Sequence, residues 1–243
     1  MRPRRFKAER LDEEVVTLCG AEVHHAVKVL RLGTGDSVIL FDGGGGEAVG
    51  TILDVKPETL RVRVTARRVV PVHRNGLSMM VATPKGERAD WMMEKCAELG
   101  VRAMTPLICA RGQVSPGDGK LARWRRKAGE AAKQSGQSVT MRVDAPMVLS
   151  EALRSCAQDV VLLFGDPRAD AATMMTALAQ ATRDASVVML VGPEGGFAHD
   201  EIRMLEAAGA KSVRLAESIL RVETAAVAGA SVWAAWRTDI AGE

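Results

Sequence analysis

The rhythm of apolar and polar positions changes near residue 70. Before that point short apolar runs alternate with turns. Ser37–Asp42 and Glu47–Val55 read as two strands joined by the glycine-rich connection Gly43–Gly46. In Leu60–Ala66, Leu60, Val62 and Val64 alternate with Arg61, Arg63 and Thr65. Such alternation gives a strand with one buried face and one wet face, here a basic one. His24–Leu32 has room for a short helix before the turn Gly33–Asp36. Several short strands joined by tight turns predict a small barrel.

After Val70–Gly76 the apolar runs become continuous. Leu77–Ala82, Val101–Ile108, Val160–Phe164 and Val187–Val191 suit strands buried on both faces, as in a parallel sheet. Between them Ala89, Met92, Met93, Cys96 and Leu99 fall at helical spacing, with Gly100 where a C-terminal cap belongs. Further helices are predicted over Lys120–Ser135, Asp170–Thr182, Ala198–Leu205 and Val222–Trp236. The pattern places a β-rich domain over 1–72 and a domain over 73–243 built as a mostly parallel sheet covered by helices.

Two strand–loop–helix joints stand out. Val187–Val191 stops at Gly192-Pro193 and restarts as a helix near Ala198, and Val213–Leu215 leads through Ala216–Arg221 into an Ala-rich helix. Gly192, Gly195 and Gly196 remove side chains where backbone must pass close to something. Joints of this kind can open at the same sheet edge, where α/β proteins bind ligands. A dinucleotide site would need GxGxxG and a second βαβ half. Glu217 stands at a suitable distance for the acidic residue, but the glycine spacing is wrong and Pro193 occupies the turn. Gly43–Gly46 lacks the Lys-Ser/Thr and the helix of a phosphate loop, so it reads as a hairpin.

Composition narrows the classes. The 243 residues are 47% hydrophobic and 26% charged, with a net charge of +3, as in an ordinary globular chain. The four cysteines lie far apart with no CxxC pair, which predicts reduced cytosolic thiols and neither a disulfide framework nor a metal site. The basic start is not followed by an apolar segment, and the run Ala225–Trp236 is too short to span a bilayer. These features predict a cytoplasmic protein with no membrane partner.

Charge is concentrated in one place. Residues 120–142 hold seven Lys and Arg against the single acid Glu130. A solvated helix and a phosphate-binding face both fit that pattern. With no Tyr and four Phe, the chain lacks an aromatic platform for stacking bases. If nucleic acid is the partner, phosphate contacts and shape must carry recognition.

The motifs taken together resemble a known family. PEGGF at Pro193–Phe197 is followed by Ile219-Leu220-Arg221-Val222-Glu223-Thr224-Ala225, and HHAVKVLRLGTGD precedes both. Thr83-Pro84-Lys85-Gly86 joined with Glu94–Val101 as one block, and Glu130–Gly136 as another, complete five blocks in order along essentially the whole chain. This arrangement is similar to the bacterial ribosomal RNA small subunit methyltransferase E family, which methylates N3 of a uridine in 16S rRNA. Two positions depart from that pattern: Ala216 and Ser218 stand where the family usually has Gly and Arg. Ala198 also replaces a frequent Ser or Thr cap.

The resemblance implies an N-terminal PUA-like barrel and a C-terminal SPOUT sheet tied in a trefoil knot, paired as a homodimer. It implies S-adenosylmethionine held by Leu163, Leu190, Gly192, Pro193, Glu194, Gly195, Gly196, Leu215, Ser218, Ile219, Leu220 and Thr224, without a metal. Arg221 is the expected cation beside the acceptor base. Glu223 is either a proton acceptor or half of a structural ion pair. RNA contacts are expected from Arg31, Arg61, Arg63, Lys85, Arg123, Arg125, Arg126, Lys127, Lys133 and Gln134, with 16S rRNA of the small subunit as partner. A non-catalytic rRNA-binding or ribosome assembly protein, or a SPOUT methyltransferase with another RNA target, is the alternative.

Overall fold

The structure, a computed structural model, describes residues 4–71, 75–112, 115–168, 171–182 and 184–241. Positions 72–74 of the expected boundary and Asp170 at a predicted helix start lie outside the described residues. The chain divides into two compact units: Met1–Val72 with Ala132–Thr140, and His73–Ala131 with Met141–Glu243.

The first unit contains β1 (Arg4–Lys7), β2 (Val15–Cys19), α1 (Ala21–His24), β3 (Ser37–Phe41), β4 (Gly46–Val55) and β5 (Thr59–Val69). They form one sheet in the order β1-β3-β4-β5-β2, antiparallel except for the β1–β3 pair. Phe6, Leu40, Ile52, Leu60 and Val62 fill its core, and Arg61 and Arg63 point outward as the alternation predicts. The β4–β5 register shifts at Val49/Gly50. A Cβ on Gly50 would stand 2.6 Å from the Arg63 carbonyl oxygen, so only glycine allows this close pairing. The helix expected over His24–Leu32 starts and ends earlier: α1 runs straight into a π-helical turn at His25–Val29, and Arg31 takes φ 55°. A left-handed residue ends a helix, a part usually taken by glycine.

Segment 132–140 packs on this sheet although it follows the basic helix. The Gly45 and Thr140 amides donate to the Ser138 and Gly43 carbonyls at 3.0 and 2.9 Å. Buried Glu47 accepts hydrogen bonds from Arg5, Arg68 and the Ser138 hydroxyl, which ties the segment to β1, β4 and β5.

The second unit runs β6 (Leu77–Ala82), α2 (Arg88–Glu98), β7 (Ala103–Ile108), α3 (Asp118–Ser135, its last residues in the first unit), β8 (Arg142–Val143), β9 (Met147–Val148) and α4 (Leu149–Arg154). It continues through β10 (Val160–Gly165), β11 (Ala172–Thr173), α5 (Met174–Ala179), β12 (Ser186–Val191), α6 (His199–Ala207), β13 (Lys211–Arg214) and α7 (Val222–Ala241). The sheet order is β11-β13-β10-β12-β6-β7-β8, with β9 also on β7, and every pairing is parallel.

Alternate residues of the central strands enter two cores. Met79, Val81, Val187 and Met189 pack with α2 and α7, while Met80, Val188 and Leu190 pack with α4 and α6. Helices therefore cover both faces, which is why these strands read as unbroken apolar runs. The helix expected from residue 170 starts only at Met174. The Thr173 hydroxyl accepts from the Thr176 amide at 3.2 Å and caps it there, after the two residues of β11.

Candidate active site

Strand order creates the site. β10 lies between β13 and β12, so the chain leaves three adjacent parallel strands at one carboxyl edge. The loops after them, at Asp166-Pro167, Gly192–Phe197 and Leu215–Leu220, line a pocket of about 660 Å³, counting the part open to solvent. A crevice at the carboxyl ends of parallel strands is where α/β sheets take ligands.

The glycine turn is held internally. The Gly196 amide donates to the Pro193 carbonyl at 2.8 Å, and Gly196 sits at φ 69°. A Cβ on Gly192 would meet the Phe197 ring at 3.1 Å, a ring packed edge-on against Phe164 with centroids 6.2 Å apart. Ala198 has no oxygen with which to cap α6. Glu201 supplies the other half of a capping box: its buried carboxylate accepts from the Ala198 amide at 2.7 Å.

Of the residues expected at a cofactor, Gly192, Pro193, Glu194, Gly196, Leu215, Ser218, Ile219 and Leu220 line the pocket. Leu163 and Leu190 are fully buried in the two cores, because the pleat turns them into the packed layers. Gly195 and Thr224 are exposed and also lie outside the lining. Asp166 and Phe197 line the pocket although the sequence reading did not select them. The available signal for Asp166 was its place directly after a buried strand. Burial pushes its carboxyl up, but hydrogen bonds from the Arg168 side chain and backbone outweigh that and hold it below the usual value.

Arg221 is exposed on the loop before α7, outside the lining. Glu223 is buried and faces Arg88 of α2, Nη1 to Oε1 3.5 Å, while its Oε2 accepts no hydrogen bond. Val222 and Ala225 line the pocket; Glu223, one helical step from Val222, turns away from it. Its geometry is that of the ion pair.

The basic residues have varied fates. Within the second unit Arg123 pairs with buried Asp90, which also accepts from the Trp124 indole at 2.8 Å. Lys127 approaches Glu94 at 3.5 Å, and Arg125 Nε donates to the Val143 carbonyl at 3.1 Å. Arg126 and Lys85 are exposed. Within the first unit Lys133 is 8% exposed and pairs with Glu22 at 2.8 Å. Gln134, Arg31 and Arg63 are exposed, and Arg61 pairs with Asp54 at 3.1 Å. Trp233 and Trp236 of α7 are 8% and 7% exposed, because α7 packs against β6, β12, α2 and α5 within its own unit.

Among the described residues no helix is long and apolar enough to cross a membrane, and no group of three His, Cys, Asp or Glu could hold a metal. Burial pushes the Cys96 thiol up to about 12. The same holds for Cys109, where the charge of Glu201 adds to burial.

Comparison with known proteins places this architecture. The model of an RNA methyltransferase domain matches residues 73–234, which take in every strand of the parallel sheet and all three pocket loops, and that of an RNA methyltransferase PUA domain matches residues 18–65. The class is therefore an RNA methyltransferase with an N-terminal PUA domain. The chain is 32% identical over 220 residues to ribosomal RNA small subunit methyltransferase E of Synechocystis, covering 89% of this chain and 72% of that protein. It is 34% identical over 221 residues to that of Mycobacterium bovis, covering 87% and 83%. The chain belongs to the ribosomal RNA small subunit methyltransferase E family. A solved family structure, from Neisseria gonorrhoeae and bound to S-adenosyl methionine, superposes with a TM-score of 0.84 at 26% identity over 95% of this chain and 96% of that one.

Proposed function

We propose that this protein methylates N3 of a uridine in 16S rRNA of the small ribosomal subunit, with S-adenosylmethionine as methyl donor. The carrying observation is the pocket framed by the Gly192–Phe197 and Leu215–Leu220 loops in a chain of this family. Its lining fits the donor: close-approaching glycine backbone for the polar edges, and Val191, Val213, Leu215, Ile219 and Leu220 for an apolar adenosine. The bound sulfonium supplies an activated methyl group and needs no metal. The chain's own contribution is to hold the acceptor in line and to favour loss of the N3 proton. Exposed Arg221, at the end of a pocket loop, is the cation that stabilises negative charge developing on the uracil. Glu223, paired to Arg88, anchors the start of α7.

The PUA domain binds RNA in this reading, with Arg31, Arg61, Arg63 and Gln134 as contacts, and Lys85, Arg125 and Arg126 add phosphate contacts from the methyltransferase domain. The chain following β13 threads a trefoil knot, and two copies pair. Among the exposed large apolar side chains of the second unit, Ile219 (83%) and Trp91 (46%) support pairing. Mass spectrometry of 16S rRNA nucleosides from cells with and without the protein tests the function. 3-Methyluridine is expected only with it, and an unchanged nucleoside profile refutes the activity.

A further inference from the structure

A second connection reaches the glycine turn from a strand that is not its neighbour. β7 is separated from β12 by β6, yet the segment after β7 makes two hydrogen bonds to the pocket turn and a third to Glu201 of α6, the helix that follows it. Arg111 Nη1 donates to the Gly195 carbonyl at 2.8 Å and, more weakly, to the Phe197 carbonyl at 3.5 Å. Buried Glu201 accepts from the Ala110 amide at 2.8 Å through Oε1, while its Oε2 takes the Ala198 amide.

From these contacts we infer that Arg111 is a positioning residue, which with Glu201 locks the Gly192–Phe197 turn into its ligand-binding shape; its effect on catalysis rests on the cofactor reading above. The peptide between Gly195 and Gly196 is pinned at both ends. Its oxygen faces the Arg111 guanidinium, and its N–H donates to the Pro193 carbonyl. Two consecutive glycines have wide backbone freedom, and a ligand binding between flexible loops must supply the ordering free energy itself. A guanidinium held on two carbonyls removes that freedom beforehand. A lysine ammonium is a single mobile point donor and restores the arrangement only in part. Because Arg111 hydrogen-bonds to the turn's backbone and lies outside the pocket lining, its loss acts on donor binding and not on the chemical step.

The test is Arg111→Ala and Arg111→Lys in the full-length protein. Amide exchange of the 192–198 peptide is read without ligand, together with S-adenosylmethionine titration calorimetry and steady-state kinetics. The expected result for Arg111→Ala is faster exchange confined to 192–198 and a Kd and KM for S-adenosylmethionine raised about tenfold, the effect of losing one charge-assisted hydrogen bond. kcat at saturating donor stays within about twofold, and Arg111→Lys falls between. Wild-type exchange and affinity in a folded Arg111→Ala protein overturn the inference, as does an equal loss of kcat and kcat/KM. Should the alanine variant not fold, unchanged exchange and affinity in Arg111→Lys do the same. Altered exchange in a protein whose wild type binds no S-adenosylmethionine overturns the cofactor reading and leaves the strut in place.

Discussion

Replacing Glu47 with glutamine should uncouple segment 132–140 from the sheet of the first unit. Glu47 is 3% exposed and receives Arg5, Arg68 and the Ser138 hydroxyl. Burial alone would raise its pKa, but the hydrogen bonds from Ser138, Arg68 and Arg5 outweigh it and lower the value from 4.5 to about 2. At about 1.4 kcal/mol per pKa unit, that difference makes the carboxylate worth about 3 kcal/mol to this unit. Because the folded value is the depressed one, the contribution is complete above about pH 4.5 and is lost as pH falls toward 2. Glutamine removes it at every pH and leaves Arg5, whose side chain is 12% exposed, without its counter-charge. All four tryptophans, Trp91, Trp124, Trp233 and Trp236, belong to the other unit, so their fluorescence does not report on this one. Amide exchange of β3–β5 peptides does. The expected result is opening easier by about 3 kcal/mol at pH 7, and a weaker loss of stability between pH 5 and 2 than in the wild type. A Glu47→Gln protein within about 0.5 kcal/mol of wild type at pH 7, with the same acid sensitivity, would refute the reasoning.

Changing exposed Arg125 and Arg126 to alanine should weaken RNA binding and lower the slope of log affinity against log salt by somewhat under one for each lost phosphate contact. Cofactor affinity should stay the same, and an unchanged salt slope would leave α3 as a solvated helix. Light scattering at micromolar concentration should give about twice the 26.0 kDa chain mass. A single species at the chain mass would remove the paired arrangement.

Much of the second unit was legible in local pattern. Continuous apolar runs such as Val187–Val191 mark strands covered on both faces, and a strand that ends in consecutive glycines marks a turn of close approach. The cap at Gly100, with φ 80°, was legible for the same reason. These features depend on residues within a few positions of one another. The motif blocks also carried the family, since their order along the chain is itself a sequence property.

Tertiary structure decided which of these elements meet. Asp166 joins the pocket because β10 lies between β13 and β12, an order no local periodicity contains. Glu223 leaves the pocket because one helical step turns it from the ligand side to Arg88. Segment 132–140 belongs with the first sheet because Ser138 meets Glu47 across 91 residues of chain. Arg111 reaches Gly195 across 84, skipping the strand between. Sequence by itself determined the central strands, most of the longer helices and the family, because propensity and burial act on neighbouring positions. Only the folded chain decided the site's membership and its supports, because those depend on strand order and on polar partners distant in sequence.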